Sequence, residues 1–287
     1  MATLTFRPAG PADVPVLLEL YDIHYRGGYS ACFDRYGRAT PQDLWWVQSE
    51  KSVSLIEVNR KPVGLLITGR SGKRLLAEEV LLDGPQGGRR DEDAILRQLH
   101  DHLTERFQQD HQERLTLRGD ESNAVVLALA QRFGFTFSNA LVVASGGDST
   151  APAPDGYAVR RARPDEARHI ARLHEETLHA RARTKDLEAM WKSGDARVFI
   201  AERDRYGVGF VLAQVRDGVG RWTVGVRDAH RGRGLGSALV HQALQFFAFR
   251  KVSPITTYWA VDAAAARFAR ALGAKTERTY LYLERPL

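Results

Sequence analysis

Apolar positions along this chain recur with two periods, and the periods alternate in the same order in both halves. Over residues 11–24, Val14, Leu17, Leu18 and Tyr21 fall on one face of a helix entered through Pro11, with Asp13 in its first turn. Over 164–179, Ala167, Ile170, Ala171 and His174 do the same behind Pro164. Each helix follows a short strand, Phe6-Arg7 in one half and Val159-Arg160 in the other. Period-two runs come next. Residues 53–58 turn through Asn59-Arg60-Lys61-Pro62 into 63–67, and 198–202 turn through Arg203-Asp204-Arg205-Tyr206 into 208–212, with Gly64 and Gly209 at matching positions. A fourth strand follows at 75–82 and at 221–226. Each half then offers an amphipathic helix (94–109; 234–249), a fifth strand (114–117; 255–260), a shorter helix (122–133; 262–272) and a final strand (136–144; 276–283). The chain reads as one α/β arrangement written twice.

The stretch Ser145-Gly146-Gly147-Asp148-Ser149-Thr150-Ala151-Pro152-Ala153-Pro154-Asp155-Gly156 separates the copies and has the composition of a linker. The predicted organisation is a domain over 1–145, a linker over 146–156 and a second domain over 157–287. With 287 residues, 44% of them hydrophobic, two packed cores are within reach. The single cysteine, Cys32, excludes an internal disulfide, and no activating neighbour accompanies it in sequence. The amino terminus lacks a cationic segment followed by a long apolar one, and no apolar run approaches a membrane span. A cytoplasmic protein without a membrane partner is expected.

Charge sharpens the picture. Residues 1–150 carry 17 Lys and Arg against 20 Asp and Glu, whereas 151–287 carry 24 against 15. The basic half suits an anionic ligand. It has no nucleic-acid recognition motif and no lysine-rich arm, so nucleic acid is not expected as a partner.

In that half, Val224-Gly225-Val226-Arg227-Asp228-Ala229-His230-Arg231-Gly232-Arg233-Gly234-Leu235-Gly236-Ser237-Ala238-Leu239 begins as a strand and ends as a helix. Its alternate glycines allow positive φ and close backbone approach, and the helix start leaves N–H groups unpaired before an anion such as a phosphate or pyrophosphate. Arg231 and Arg233 add positive charge. A dinucleotide fingerprint fails because the third glycine comes one residue early, and a P-loop fails because no Gly-Lys-Ser/Thr follows. A flexible turn without a ligand is the remaining alternative.

The run Arg231-Gly232-Arg233-Gly234-Leu235-Gly236-Ser237-Ala238-Leu239 resembles the acetyl-CoA loop of the GNAT superfamily of N-acetyltransferases, Arg/Gln-x-x-Gly-x-Gly/Ala, with Arg231, Gly234 and Gly236 at its defining positions. The shorter helix carries a second GNAT-like pattern, Asn-x-x-Ala-x-x-Leu-Tyr-x-x-x-Gly-Phe. Asn123, Val126, Leu129, Gly134 and Phe135 match it in the first half, and Asp262, Ala265, Phe268, Gly273 and Ala274 match it more loosely in the second. The resemblance covers nearly the whole chain. It implies an α/β (α+β) protein of two tandem GNAT-like domains, each a mixed, mostly antiparallel sheet flanked by helices. It further implies acetyl-CoA as acyl donor, bound through Val224, Val226, Arg231, Gly232, Arg233, Gly234, Leu235, Gly236 and Ser237. A monomer whose halves imitate a dimer, or a homodimer, is the expected assembly.

Aligned through the fourth strand, the first half sets Gly87-Gly88-Arg89-Arg90-Asp91-Glu92-Asp93-Ala94 against the loop, with Arg90 and Glu92 at the positions of Gly234 and Gly236. Acids there would repel a pyrophosphate by about 1–4 kcal/mol each, and without a ligand they are ordinary first-turn residues. Gly225 lies mid-strand, where the GNAT family has a bulge that splays two strands around the pantetheine arm. The first half has Leu81 there and reads as an unbroken buried strand. The first domain is expected not to bind the coenzyme.

The resemblance implies direct acetyl transfer to an amine of a small molecule or peptide, with backbone N–H groups near Val224 and Val226 facing the thioester carbonyl. A lysine-like amine of pKa about 10.4 is mostly charged at pH 7 and needs help to lose its proton. Ala269 stands where many members have an acid tyrosine, and Arg221-Trp222-Thr223-Val224 offers no carboxylate. His174, Glu175, Glu176, Tyr258, Tyr280 and Tyr282 remain as substitutes, and no catalytic residue or metal ligand is assigned. Asp262 reads as a helix cap, and Arg181 and Arg183 lie where the family has a loop over the acceptor. Trp45 and Trp46, with Tyr21, Tyr25, Tyr29 and Tyr36, are expected to fill the first core or bury the seam between domains. A non-catalytic acyl-CoA-binding or regulatory module is the rival from another class.

Overall fold

The computed structural model describes residues 3–25, 27–83, 89–179 and 182–286, without the side chains of 89–92. The chain forms two units. The first comprises Met1–Val142, Trp259–Val261 and Arg278–Leu287, and the second comprises Val143–Tyr258 and Asp262–Glu277.

In the first unit β1 (Leu4–Pro8) leads into α1 (Val14–His24), and a small hairpin of β2 (Tyr29–Ser30) and β3 (Arg35–Tyr36) precedes α2 (Pro41–Glu50). A meander of β4 (Ser52–Val58), β5 (Lys61–Ser71) and β6 (Arg74–Leu82) runs into α3 (Arg89–Gln109), β7 (Arg114–Asp120), α4 (Ala124–Phe133) and β8 (Thr136–Ser145). The order then repeats: β9 (Ala158–Arg161), α5 (Ala167–Leu178), α6 (Thr184–Ser193), β10 (Ala196–Arg203), β11 (Tyr206–Arg216), β12 (Val219–Val226), α7 (Leu235–Arg250), β13 (Ser253–Trp259), α8 (Ala263–Ala271) and β14 (Lys275–Pro286). β1, β4, β5 and β6 pair antiparallel and β6 pairs parallel with β7. β9 to β12 pair antiparallel and β12 pairs parallel with β13. In each unit the strands pair in a mixed, mostly antiparallel pattern and are flanked by helices, as expected.

The duplication extends to local detail. Both first hairpins turn through two residues of positive φ, Asn59-Arg60 and Asp204-Arg205, the I′ geometry that matches strand twist. Arg7 holds Asp13 at 2.8 Å and Glu57 at 3.1 Å, and Arg160 holds Glu166 at 2.7 Å and Glu202 at 2.6 Å. The arginine pins the first strand, the helix start and the hairpin together, and it draws Asp13 and Glu166 each down to a pKa of about 2.

Three features depart from the sequence expectation. First, the final strand of the 157–287 segment does not close its own unit: β14 pairs antiparallel with β7 from Tyr280↔Asp120 to Pro286↔Arg114, so Arg278 onward groups with the first unit. Its alternation suits that place, because Leu281 and Leu283 join the apolar cluster under α3 and α4 while Tyr280 and Tyr282 take the other face. Second, α2 and α6 lie where no helix was predicted. The Thr40 hydroxyl accepts from Asp43 N while the Asp43 carboxylate accepts from Thr40 N at 2.7 Å, a capping box legible in Thr40-Pro41-Gln42-Asp43. Third, Trp45 and Trp46 are not core residues: α2 packs through Leu44 and Val47, leaving the tryptophans 53% and 48% exposed. Tyr21 and Tyr29 are buried as expected. Among the described residues no helix is long and apolar enough to cross a membrane.

Candidate functional site

The predicted site lies in the second unit, where β12 ends and α7 begins. β12 keeps regular register with β11 through Gly209↔Val226, so the bulge expected at Gly225 is absent. The splay is present nonetheless. β12 pairs with β13 only at Val219↔Ser253, Gly220↔Pro254 and Arg221↔Ile255, and the strands then part into a wedge. Arg227 N donates to Val208 O at 2.9 Å, so the alternation of an antiparallel ladder bonds Gly225 and Thr223 to β11. The N–H and C=O groups of Val224 and Val226 therefore point the other way, toward the wedge. Gly225 is required by packing: a Cβ there would stand 2.7 Å from Phe210 Cε1 and 2.9 Å from Thr177 Cβ, and closer still to Thr177 Oγ1. The last turn of α5, through Thr177, thus lies directly on the strand.

The loop divides its glycines between two tasks. Gly232 and Gly234 take φ of +73° and +82°, as expected of a turn that must reverse tightly. Gly236 does not; it is helical, and its missing Cβ makes room for Phe268, whose ring atoms would lie 3.1 and 3.2 Å away. With Gly234 as N-cap and Ala238 N donating to Gly234 O, the N–H groups of Leu235, Gly236 and Ser237 have no acceptor within α7. Arg231 is less available than its sequence position suggests. Its Nε donates to Val226 O at 2.9 Å and its Nη2 lies 3.3 Å from Thr177 O and 3.0 Å from Asp228, so the side chain braces the loop to β12 and α5. Arg233 is exposed and makes no ion pair among the described residues. His230, hydrogen-bonded to the Tyr157 hydroxyl at 3.0 Å, has its pKa lowered by burial and then by Arg203, Arg233 and Arg227, which marks the loop as a region of positive potential.

The first unit answers the same geometry differently. β6 and β7 also stop pairing, after Ala77↔Leu117, but two side chains cross the gap. Asn123 accepts from Val126 N as the cap of α4 and donates its Nδ2 to Val80 O at 3.0 Å, and Arg118 Nε donates to Glu78 O at 3.1 Å. Asp262, at the matching cap in the second unit, accepts from Ala264 N at 3.0 Å and Ala265 N at 2.9 Å. A carboxylate has no N–H to send across, so the cap that closes one wedge leaves the other open. Nor is β6 the unbroken strand expected from Leu81. Its register against β5 slips between Ile67 and Thr68, leaving Glu78 as the extra residue, and Glu78 and Glu79 are both buried. The signal was two adjacent acids in an apolar run. Residues 84–88 and the side chains of Arg90, Asp91 and Glu92, on which the expected repulsion rests, lie outside the described residues.

The proposed proton carriers scatter. His174 packs with its ring tilted against Phe210 at a centroid distance of 5.7 Å, Glu175 is exposed, and Glu176 is tied to Arg227 and Arg172 at 2.8 and 2.7 Å. Tyr258 is on β13, whereas Tyr280 and Tyr282 belong to the first unit. Ala269 is buried, Arg183 pairs with Asp186, and Arg181 lies outside the described residues. Cys32 is buried with its thiol pushed up to about 12, an unreactive state. Among the described residues no group of His, Cys, Asp or Glu is arranged to hold a metal ion.

The family model for the acetyltransferase (GNAT) domain matches residues 194–273, the stretch holding the wedge and loop. The second unit carries a GNAT domain. The GNAT fold extends to the whole chain. A tandem GNAT protein from the clavulanic acid biosynthesis pathway superposes with a TM-score of 0.70 at 17% identity, covering 99% of this chain and 98% of that one. A GCN5-related N-acetyltransferase from Sphaerobacter thermophilus gives 0.72 at 18%, covering 99% and 95%. A GNAT-family acetyltransferase from Colwellia psychrerythraea gives 0.65 at 11%, covering 98% and 99%. None of the curated proteins compared with it matches in sequence. The tandem arrangement is thus one of fold, and the GNAT fold is that of acyl-CoA-dependent acetyltransferases in general.

Proposed function

We propose that this protein transfers an acetyl group from acetyl-CoA to an amine, with the coenzyme held in the second unit alone. The observation that carries the reading is the open wedge leading to an uncapped helix start, set beside its closed counterpart between β6 and β7. The N–H groups of Leu235, Gly236 and Ser237, with Arg233, would hold the pyrophosphate. The wedge would take the pantetheine arm, and Val224 and Val226 would present N–H groups to the thioester carbonyl, where negative charge develops as the amine attacks. In the first unit Asn123 and Arg118 occupy acceptors that such an arm would need.

The test is a calorimetric titration with acetyl-CoA that reads stoichiometry. One site per chain, lost in Gly234→Glu, supports the reading; two sites, or none, oppose it. A second reading, coenzyme binding without turnover, is favoured by buried Ala269 and by a β12 with no carboxylate. Both readings require binding, so release of free thiol during incubation with a panel of amines separates them.

A further inference from the structure

The bulge in β6 leaves two consecutive acids buried beside each other in the first unit. Glu78 is satisfied by ion pairs with Lys51 and, at 3.2 Å, with Arg118. Glu79 is not. It is 9% exposed and has no hydrogen-bond partner among the described residues, although Tyr21, Cys32, Arg118, Asp120, Arg278 and Tyr280 are near enough to act electrostatically on it or to feel its charge. The neighbouring donors are engaged elsewhere. Tyr21 donates to Ser30 Oγ and Tyr280 to Tyr29 O, each at 2.6 Å, and Arg278 is held by Asp120 at 3.1 Å and by the Gly27 carbonyl. Arg118, 6% exposed, has the complementary deficit: its buried Nη2 makes no hydrogen bond, since its approach to Glu78 lacks the angle. Arg118 Nη2 is thus a buried donor without a hydrogen bond, and the Glu79 carboxylate, nine-tenths buried, is an acceptor that no described donor meets, on strands that have just ceased to pair.

Charge narrows the ligand. Lys51, Arg118 and Arg278 balance Glu78, Asp120 and ionised Glu79, so a ligand of one sign would leave a buried excess. We propose that the first unit binds a small zwitterion, an α-amino acid, its ammonium donating to Glu79 and its carboxylate accepting from Arg118. An ammonium supplies donors only and a carboxylate acceptors only, which are the two things missing. The site is independent of the coenzyme wedge in the second unit.

The test uses wild-type protein carrying 13C at its glutamate side-chain carboxyls. Burial lifts the Glu79 carboxyl to a pKa of about 7, so its resonance stands apart from other glutamates in a pH titration. Glycine, leucine, lysine, glutamate and phenylalanine are added singly, with methylamine and acetate as controls. The expected result is a fall of at least one unit in the Glu79 midpoint with one or more amino acids, equivalent to about tenfold tighter binding to the ionised form, and no such fall with the controls. Glu79→Gln, checked for folding by urea denaturation, is expected to lose that amino acid's calorimetric binding. A midpoint that no amino acid moves overturns the proposal. One moved equally by methylamine overturns the zwitterion, as does undiminished binding in folded Glu79→Gln.

Discussion

Replacing Gly225 with alanine adds one methyl group where β12 meets α5. That carbon would lie 2.7 Å from Phe210 Cε1 and 2.9 Å from Thr177 Cβ, and nearer still to the Thr177 hydroxyl. Neither neighbour can yield easily. Phe210 is wholly buried, and Thr177 is 4% exposed with its hydroxyl donating to Leu173 O at 2.7 Å. Overpacking of this kind costs about 1–3 kcal/mol, and turning Thr177 aside would forfeit a buried hydrogen bond worth about 1 kcal/mol. The upper part of that range is expected, roughly 2–3 kcal/mol. Urea unfolding monitored by far-ultraviolet circular dichroism, fitted as separate transitions for the two units, measures it. Thr177→Ala in the same chain removes the hydroxyl and should restore at least about 1 kcal/mol relative to the sum of the single changes. A cost below about 0.5 kcal/mol, or strict additivity, would refute the claim that Thr177 obliges residue 225 to be glycine.

Gly234→Glu is expected to abolish acetyl-CoA binding in calorimetry while costing only about 1–2 kcal/mol of stability, the strain of a side chain at a φ of +82°. Asn123→Ala removes a helix cap and orphans the Val80 carbonyl, and should cost about 1–3 kcal/mol in urea denaturation. Glu79 binds its proton more tightly folded, about 7 against 4.5, so its contribution is fully present below pH 4.5 and is lost as pH rises through 7; urea stability compared at pH 5 and 8 should fall by about 2.5 kcal/mol more in wild type than in Glu79→Gln. Glu166 has the opposite sign: held near 2 by Arg160, its contribution is present above pH 4.5 and lost as pH drops toward 2, and Arg160→Gln should flatten that limb of an acid titration.

The repeated order of elements was legible because it rests on short-range signals: apolar periodicity, prolines at helix starts and turn residues. The loop was legible because left-handed glycines at a helix start are a local demand, met at Gly232 and Gly234. What escaped was what depends on contacts distant in sequence. Gly225 reads as a bulge until Thr177 and Phe210 are seen to fill the space a side chain would need. Arg231 reads as a ligand cation until its hydrogen bonds to Val226 O and Thr177 O appear. Asn123 and Asp262 read as interchangeable caps, and only the carbonyl of Val80 across the gap gives the amide nitrogen a second use. Glu78 and Glu79 sit in a run that reads as an unbroken buried strand, and the cations that pair with Glu78, Lys51 and Arg118, are distant in sequence with no local pattern to announce them.

The pairing of β14 with β7 ties together positions such as Arg114 and Glu284, 170 residues apart. Until β14 has been synthesised, that edge of β7 has a row of amide and carbonyl groups with no strand to meet them, the kind of edge that recruits strands from other chains. A nascent first unit therefore passes through an interval of aggregation risk while the second is translated, and refolding from denaturant should share that slow, long-range step. Severing the chain within 146–156 would not yield two independent proteins, because one fragment would keep the strand that the other needs. Deleting the second copy outright would therefore also remove a strand of the first unit.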